Sequence, residues 1–90
     1  MSESYDIGVR VISQKGVCVA GHKVGDEWII KKDLLTPGGM CITAYNAIFP
    51  FVMTLMFGGS FPWEDNPDIA RIACPDVDNP VILELKRIRQ

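Results

Sequence analysis

The side chains best suited to chemistry in this chain are three cysteines and one histidine: Cys18, His22, Cys41 and Cys74. Each falls at a break in the local pattern. Cys18 and His22 share one short irregular stretch, Cys41 follows the turn Thr36-Pro-Gly-Gly, and Cys74 is followed at once by Pro75. Side chains at loop edges are able to converge at one end of a sheet, whereas those inside separate strands and helices are held apart. The thiolate is the form of cysteine that binds metal and attacks electrophiles, and a helix N-terminus favours it through its dipole and free N–H groups. Cys41, placed where a helix should begin, is therefore expected to carry an anionic sulfur. Three thiolates hold an iron–sulfur cluster with one iron left open, and a proline directly after a cysteine occurs in the ligand runs of such clusters. Three Cys and one His also form a tetrahedral zinc set. Against both stands the absence of any Cys-x-x-Cys pair: isolated cysteines also serve as small hydrophobes, and His22 is equally suited to a turn.

The elements that must position these residues follow from periodicity. Ile7, Val9 and Val11 alternate with Gly8, Arg10 and Ile12, which predicts a first strand. Val24-Gly25-Asp26 reads as a turn into a second strand, Glu27 to Lys31, with Trp28 and Ile30 on one face. Cys41 to Phe57 is the one helical segment: Ala44, Ile48, Val52, Leu55 and Met56 recur at near-helical spacing, and Gly58-Gly59 stops it. Pro50 predicts a bend or break at Phe49-Pro50. Ile69 to Cys74 and the alternation from Val81 to Lys86 predict two more strands, the last basic stretch, Lys86 to Arg89, forming a solvated face. Glu64, Asp65 and Asp68 lack the spacing of a calcium loop and read as solvated turn residues, while Trp63 is expected to pin its loop to the core. The order is β-β-α-β-β, an α+β class in which one apolar helix covers a small, mainly antiparallel sheet. Residues 1–90 read as a single domain.

Composition narrows the function classes. The apolar share is 48% and the net charge is −2, with acidic and basic residues interspersed. Nothing resembles the basic stripe of a nucleic-acid binder. The longest apolar run, Ala47 to Phe57, contains Pro50 and is too short to span a bilayer, and no secretory leader is legible at Met1 to Asp6. An odd number of cysteines cannot pair fully within one chain, which points to reduced thiols and the cytoplasm. The helix is apolar nearly all round, so it is either buried on several sides or covered by a second subunit.

Four motifs occur in order: Cys18-Val-Ala-Gly-His22-Lys-Val-Gly-Asp26, Pro37-Gly-Gly-Met-Cys41, Phe57-Gly-Gly-Ser-Phe-Pro-Trp63 and Cys74-Pro-Asp-Val-Asp-Asn-Pro80. Together they resemble the pattern C-x-x-G-H-x-x-G-D, P-G-G-x-C, F-G-G-x-x-P-W and C-P-D-x-x-N-P of a family of small, stand-alone, uncharacterised prokaryotic proteins, mostly from anaerobes. The resemblance spans nearly the whole chain. It implies that Cys18, His22, Cys41 and Cys74 belong to one shared feature, and an anaerobic setting suits an oxygen-sensitive cluster.

Three function classes follow. The first is a metal-binding protein with Cys18, Cys41 and Cys74 as ligands, and His22 as a fourth ligand or a donor to a sulfur. An iron–sulfur cluster is preferred to zinc, for electron transfer with a redox partner, cluster carriage or redox sensing. The second is a thiol enzyme or switch with Cys41 as nucleophile and His22 as its base. The third is a homo-oligomeric interaction module in which the cysteines fill space.

Overall fold

The computed structural model describes residues 4–18 and 20–89. Strand β1 (Asp6–Gln14) is followed by β2 (Glu27–Ile30), helix α1 (Ile42–Met56), β3 (Ile69–Ala73) and β4 (Val81–Ile88). The strands form one antiparallel sheet in the order β2-β1-β4-β3. This is the α+β, β-β-α-β-β arrangement that the alternation predicts.

The first and last strands make the centre of the sheet, paired from Asp6 opposite Ile88 to Gln14 opposite Val81, with a bulge between Val11 and Ser13. Alternation then sorts the side chains into two faces. Ile7, Val9, Val11, Ile30, Ala70, Val81, Leu83 and Leu85 face α1, which contributes Ala44, Ile48, Val52, Leu55 and Met56 to the same buried cluster. Burying such aliphatic side chains stabilises by roughly 1.5–3 kcal/mol each before entropy is subtracted. The opposite face of the sheet carries Gly8, Arg10, Ile29, Glu84 and Lys86, and among the described residues no helix covers it.

Three sequence expectations need correction. Of the bend or break expected at Pro50, the break does not occur: helix α1 runs as one element from Ile42 to Met56. Proline removes the donor to the Asn46 carbonyl, but Asn46 and Pro50 are both exposed, so that carbonyl has access to water. Trp63 does not pin its loop from inside: it is 62% exposed and stacks on Phe61 at 5.0 Å between ring centres. Arg87 is not on a solvated face, being only 3% exposed. Its guanidinium donates to the main-chain oxygens of Leu55, Gly59 and Pro67 and to Asp68. The Leu55 carbonyl, at the end of α1, accepts from Arg87 as well as from the Gly58 N–H, and a cation there complements the helix dipole.

Candidate functional site

The site forms where three connections meet the N-terminus of α1. The β1–β2 connection supplies Cys18 and His22, the β2–α1 connection supplies Cys41, and the β3–β4 connection supplies Cys74. All four residues line one pocket of about 80 Å³, together with Thr43, Ala44, Asp76 and Asn79. All three cysteines are free and half-buried. The convergence expected from their loop-edge positions is the arrangement the chain adopts.

Two polar ties hold the loops in place. Asn79 Oδ1 accepts the main-chain N–H of Val17 at 3.0 Å, and Asn79 is itself held by Asp76, which accepts its main-chain N–H at 3.0 Å. The Cys18 segment is thus moored to the loop that follows Cys74. Gly16 passes so close to Asn79, at φ 73°, that a Cβ there would overlap the Asn79 amide. The second tie is His22. Its Nε2 accepts the main-chain N–H of Cys41 at 2.8 Å, which joins the first connection to the start of α1. To accept, Nε2 must be unprotonated, so the ring proton sits on Nδ1, 4.0 Å from Asp26 Oδ2. The ring is 5% exposed and packs edge-on against Trp28 at 4.9 Å.

Each sulfur has its own surroundings. Cys41 occupies the N-cap of α1 with no side-chain capping bond, and its Sγ lies 3.0 Å from Thr43 Oγ1. The Thr43 hydroxyl, then the Ala44 main-chain N–H, hold the Cys41 thiol below its ordinary pKa, with partial burial opposing them and the Thr43 N–H adding a smaller pull. This is the anionic bias expected of a thiol at a helix start. Cys74 Sγ accepts the main-chain N–H of Val81 at 3.2 Å, while the Cys74 N–H donates to the Val81 carbonyl at 2.9 Å. Cys18 closes a turn in which its carbonyl accepts the Gly21 N–H at 2.9 Å.

The four residues expected from the sequence to converge line one pocket, but His22 Nε2 makes a different contact from those expected of it. That nitrogen is committed to the main chain of Cys41 rather than to any sulfur. Among the described residues, no three His, Cys, Asp or Glu side chains are gathered closely enough to grip a single metal ion as they stand. Asn79 and Thr43 were overlooked. The signal for Thr43 was its place two residues after an N-cap cysteine, and for Asn79 its place in the Cys74-to-Pro80 motif. Among the described residues no helix is long and apolar enough to cross a membrane. Comparison with protein-family models, curated proteins and solved structures gave no match.

Proposed function

We propose that this protein holds an iron–sulfur cluster on Cys18, Cys41 and Cys74 and serves electron transfer, cluster carriage or redox sensing in the reducing cytoplasm, with a redox partner protein. The observation that carries this reading is that three free thiols from three separate connections line one pocket. The chemistry of the donors supports it. The helix start and the Thr43 hydroxyl favour the Cys41 sulfur as thiolate, and the Val81 N–H bonded to Cys74 Sγ is the kind of hydrogen bond to sulfur that tunes a cluster's potential. A cluster supplies reversible one-electron chemistry, and with three protein ligands one iron stays open. His22 acts in this reading as the strut that positions Cys41, not as a fourth ligand. Zinc is the weaker alternative, because bonds of about 2.3 Å bring tetrahedral sulfurs to within about 3.8 Å of one another, a closer gathering than these side chains make.

The test is expression and purification under strict anaerobiosis, followed by iron and acid-labile sulfide analysis and visible spectroscopy before and after reduction. A brown protein with iron and sulfide in equal amounts, bleached by reductant and lost in Cys41→Ser or Cys74→Ser variants that still fold, is the expected result. A colourless, well-folded protein that takes up neither iron nor sulfide on reconstitution ends the proposal.

A thiol-based redox switch is favoured by one specific observation, the depressed pKa of Cys41. Its activation comes from Thr43 and the helix start, since His22 does not contact the sulfur. One rapidly alkylated thiol in metal-free protein that never binds iron is the outcome that selects this reading.

A further inference from the structure

The sheet face turned away from α1 has an order that a merely solvated face does not require. Cross-strand registration places Glu27 beside Arg10, Arg10 beside Glu84, and Glu84 beside Arg71, so a single row crosses all four strands as acid, base, acid, base. Arg10 and Glu84 are in contact at 3.2 Å. The neighbouring row reads Ile29, Gly8, Lys86, Ile69 by the same registration. Ile82 and Ile88 of β4 lie on this face too, and Ile29 is 56% exposed. A depression of about 270 Å³ opens where Gly8 lacks a side chain, between Ile29, Lys86 and Ile88.

We propose that this face is the dimer interface, and that its occupant is a second copy of the same chain, related by a two-fold axis running along the strands. Such an axis turns each row end for end as it lays it on its counterpart. Glu27 then faces Arg71 of the second copy, and Arg10 faces Glu84 of the second copy, so that every member of the charged row meets an opposite charge. In the next row Ile29 meets Ile69 of the second copy, and the Lys86 stem enters the space above Gly8 of the second copy. An axis across the strands that passes over the charged row lays that row on itself unreversed and sets like against like. The proposed arrangement is the aligned sheet-on-sheet packing of β-sandwiches, with both α1 helices and both thiol pockets on the outside.

The size of the face sets the strength. Strands of nine, four, five and eight residues about 4.8 Å apart give a flat footprint of roughly 400 Å², less than the ~800 Å² per partner of a standard interface. The dimer is therefore expected to be weak and reversible. The apolar helix is the rival surface for self-association, and the experiment separates the two.

Sedimentation equilibrium of the full chain up to about 1 mM measures the monomer–dimer balance directly. The wild type is expected to shift from 10.0 kDa to twice that mass as concentration rises. Arg10→Glu and Glu84→Arg are each expected to weaken the dimer at least tenfold while circular dichroism stays native, and mixing them in equal amounts restores it, because the reversed charges face each other again. Ile29→Lys, an exposed position that folding does not need, gives the same loss independently. A wild type that stays monomeric, single variants that dimerise as well as the wild type, or a dimer lost in Phe49→Ser on α1 but kept in Ile29→Lys overturns the proposal.

Discussion

The main-chain N–H of Cys41 donates to Nε2 of His22 at 2.8 Å, so the only histidine in the chain holds the start of α1 against the β1–β2 connection. This bond joins segments that are remote in sequence, and it fixes the main chain of the cysteine whose thiol is held below its ordinary pKa. A buried amide left without an acceptor costs about 1–3 kcal/mol. His22→Ala is therefore expected to lower stability by about that amount, with a further loss from the gap beside Trp28. Urea unfolding followed by Trp fluorescence measures it. If Cys41 alkylation and the unfolding midpoint both stay at wild-type values, His22 is not the strut described here.

The sulfur of Cys41 depends on a different neighbour. Thr43 is the largest cause of its lowered pKa, ahead of the Ala44 N–H. Removing the hydroxyl in Thr43→Val should raise that pKa toward the ordinary thiol range, so less thiolate is present near neutral pH and iodoacetamide reacts more slowly with Cys41. Thr43→Ser keeps the hydroxyl and should keep the rate. The sign for stability follows: a depressed folded-state pKa stabilises the fold above the unfolded thiol pKa, and this contribution is lost as pH falls through the folded value. The alkylation rate of Cys41 as a function of pH is the measurement. An identical profile in Thr43→Val would remove Thr43 from the account.

The sequence made the elements legible because each has a clean period. Val81, Leu83 and Leu85 alternate at a spacing of two, and Ala44, Ile48, Val52 and Leu55 recur at helical spacing, so the sheet face and the helix stripe that must meet were both readable. That Cys18, Cys41 and Cys74 line one pocket was readable for a topological reason, since all three lie in connections rather than inside a strand or the helix. Arg87 was misread although the same alternation that buries Leu85 points it inward. Charge suggested solvent, and only the fold shows that four acceptors wait for it. The role of His22 was not legible because its partner is a main-chain N–H, and main-chain groups leave no trace in residue types. Trp63 shows the opposite limit: its ring lies on Phe61 at the surface, a placement that hydrophobicity alone cannot distinguish from burial.

Arg87 supplies a prediction about the fold itself. Its guanidinium satisfies three main-chain carbonyls and the Asp68 carboxylate while only 3% exposed. Arg87→Ala would take this donor from the Gly59 and Pro67 carbonyls and leave Asp68 with Arg89 alone, a loss of about 1–3 kcal/mol for each buried group left unpaired. Arg87→Lys keeps a charge but cannot reach all four acceptors in one plane, so it should fall between the two. Chemical denaturation with the slope held equal distinguishes these outcomes. A midpoint shift of under about 0.5 kcal/mol for Arg87→Ala, the size of an ordinary surface change, contradicts this description.

Asp68 carries the acid sensitivity of the same network. The Arg89 hydrogen bond first, and then Arg87, hold its carboxyl down to about 2, with desolvation working against them. An unfolded aspartate titrates near about 3.9. Because the folded value is the lower one, Asp68 stabilises the fold fully above the unfolded pKa, and that contribution disappears as pH falls toward 2. Thermal unfolding of the wild type from about pH 6 to about pH 2 should therefore show a falling midpoint, steepest below about pH 4. Asp68→Asn removes the titrating group, so the variant should begin less stable near pH 6 and the difference between the two proteins should shrink on acidification. A gap between wild type and Asp68→Asn that stays constant down to about pH 2 would mean that the guanidiniums of Arg87 and Arg89 do not depend on the charge of Asp68, and that the carbonyls of Leu55, Gly59 and Pro67 hold Arg87 in place on their own.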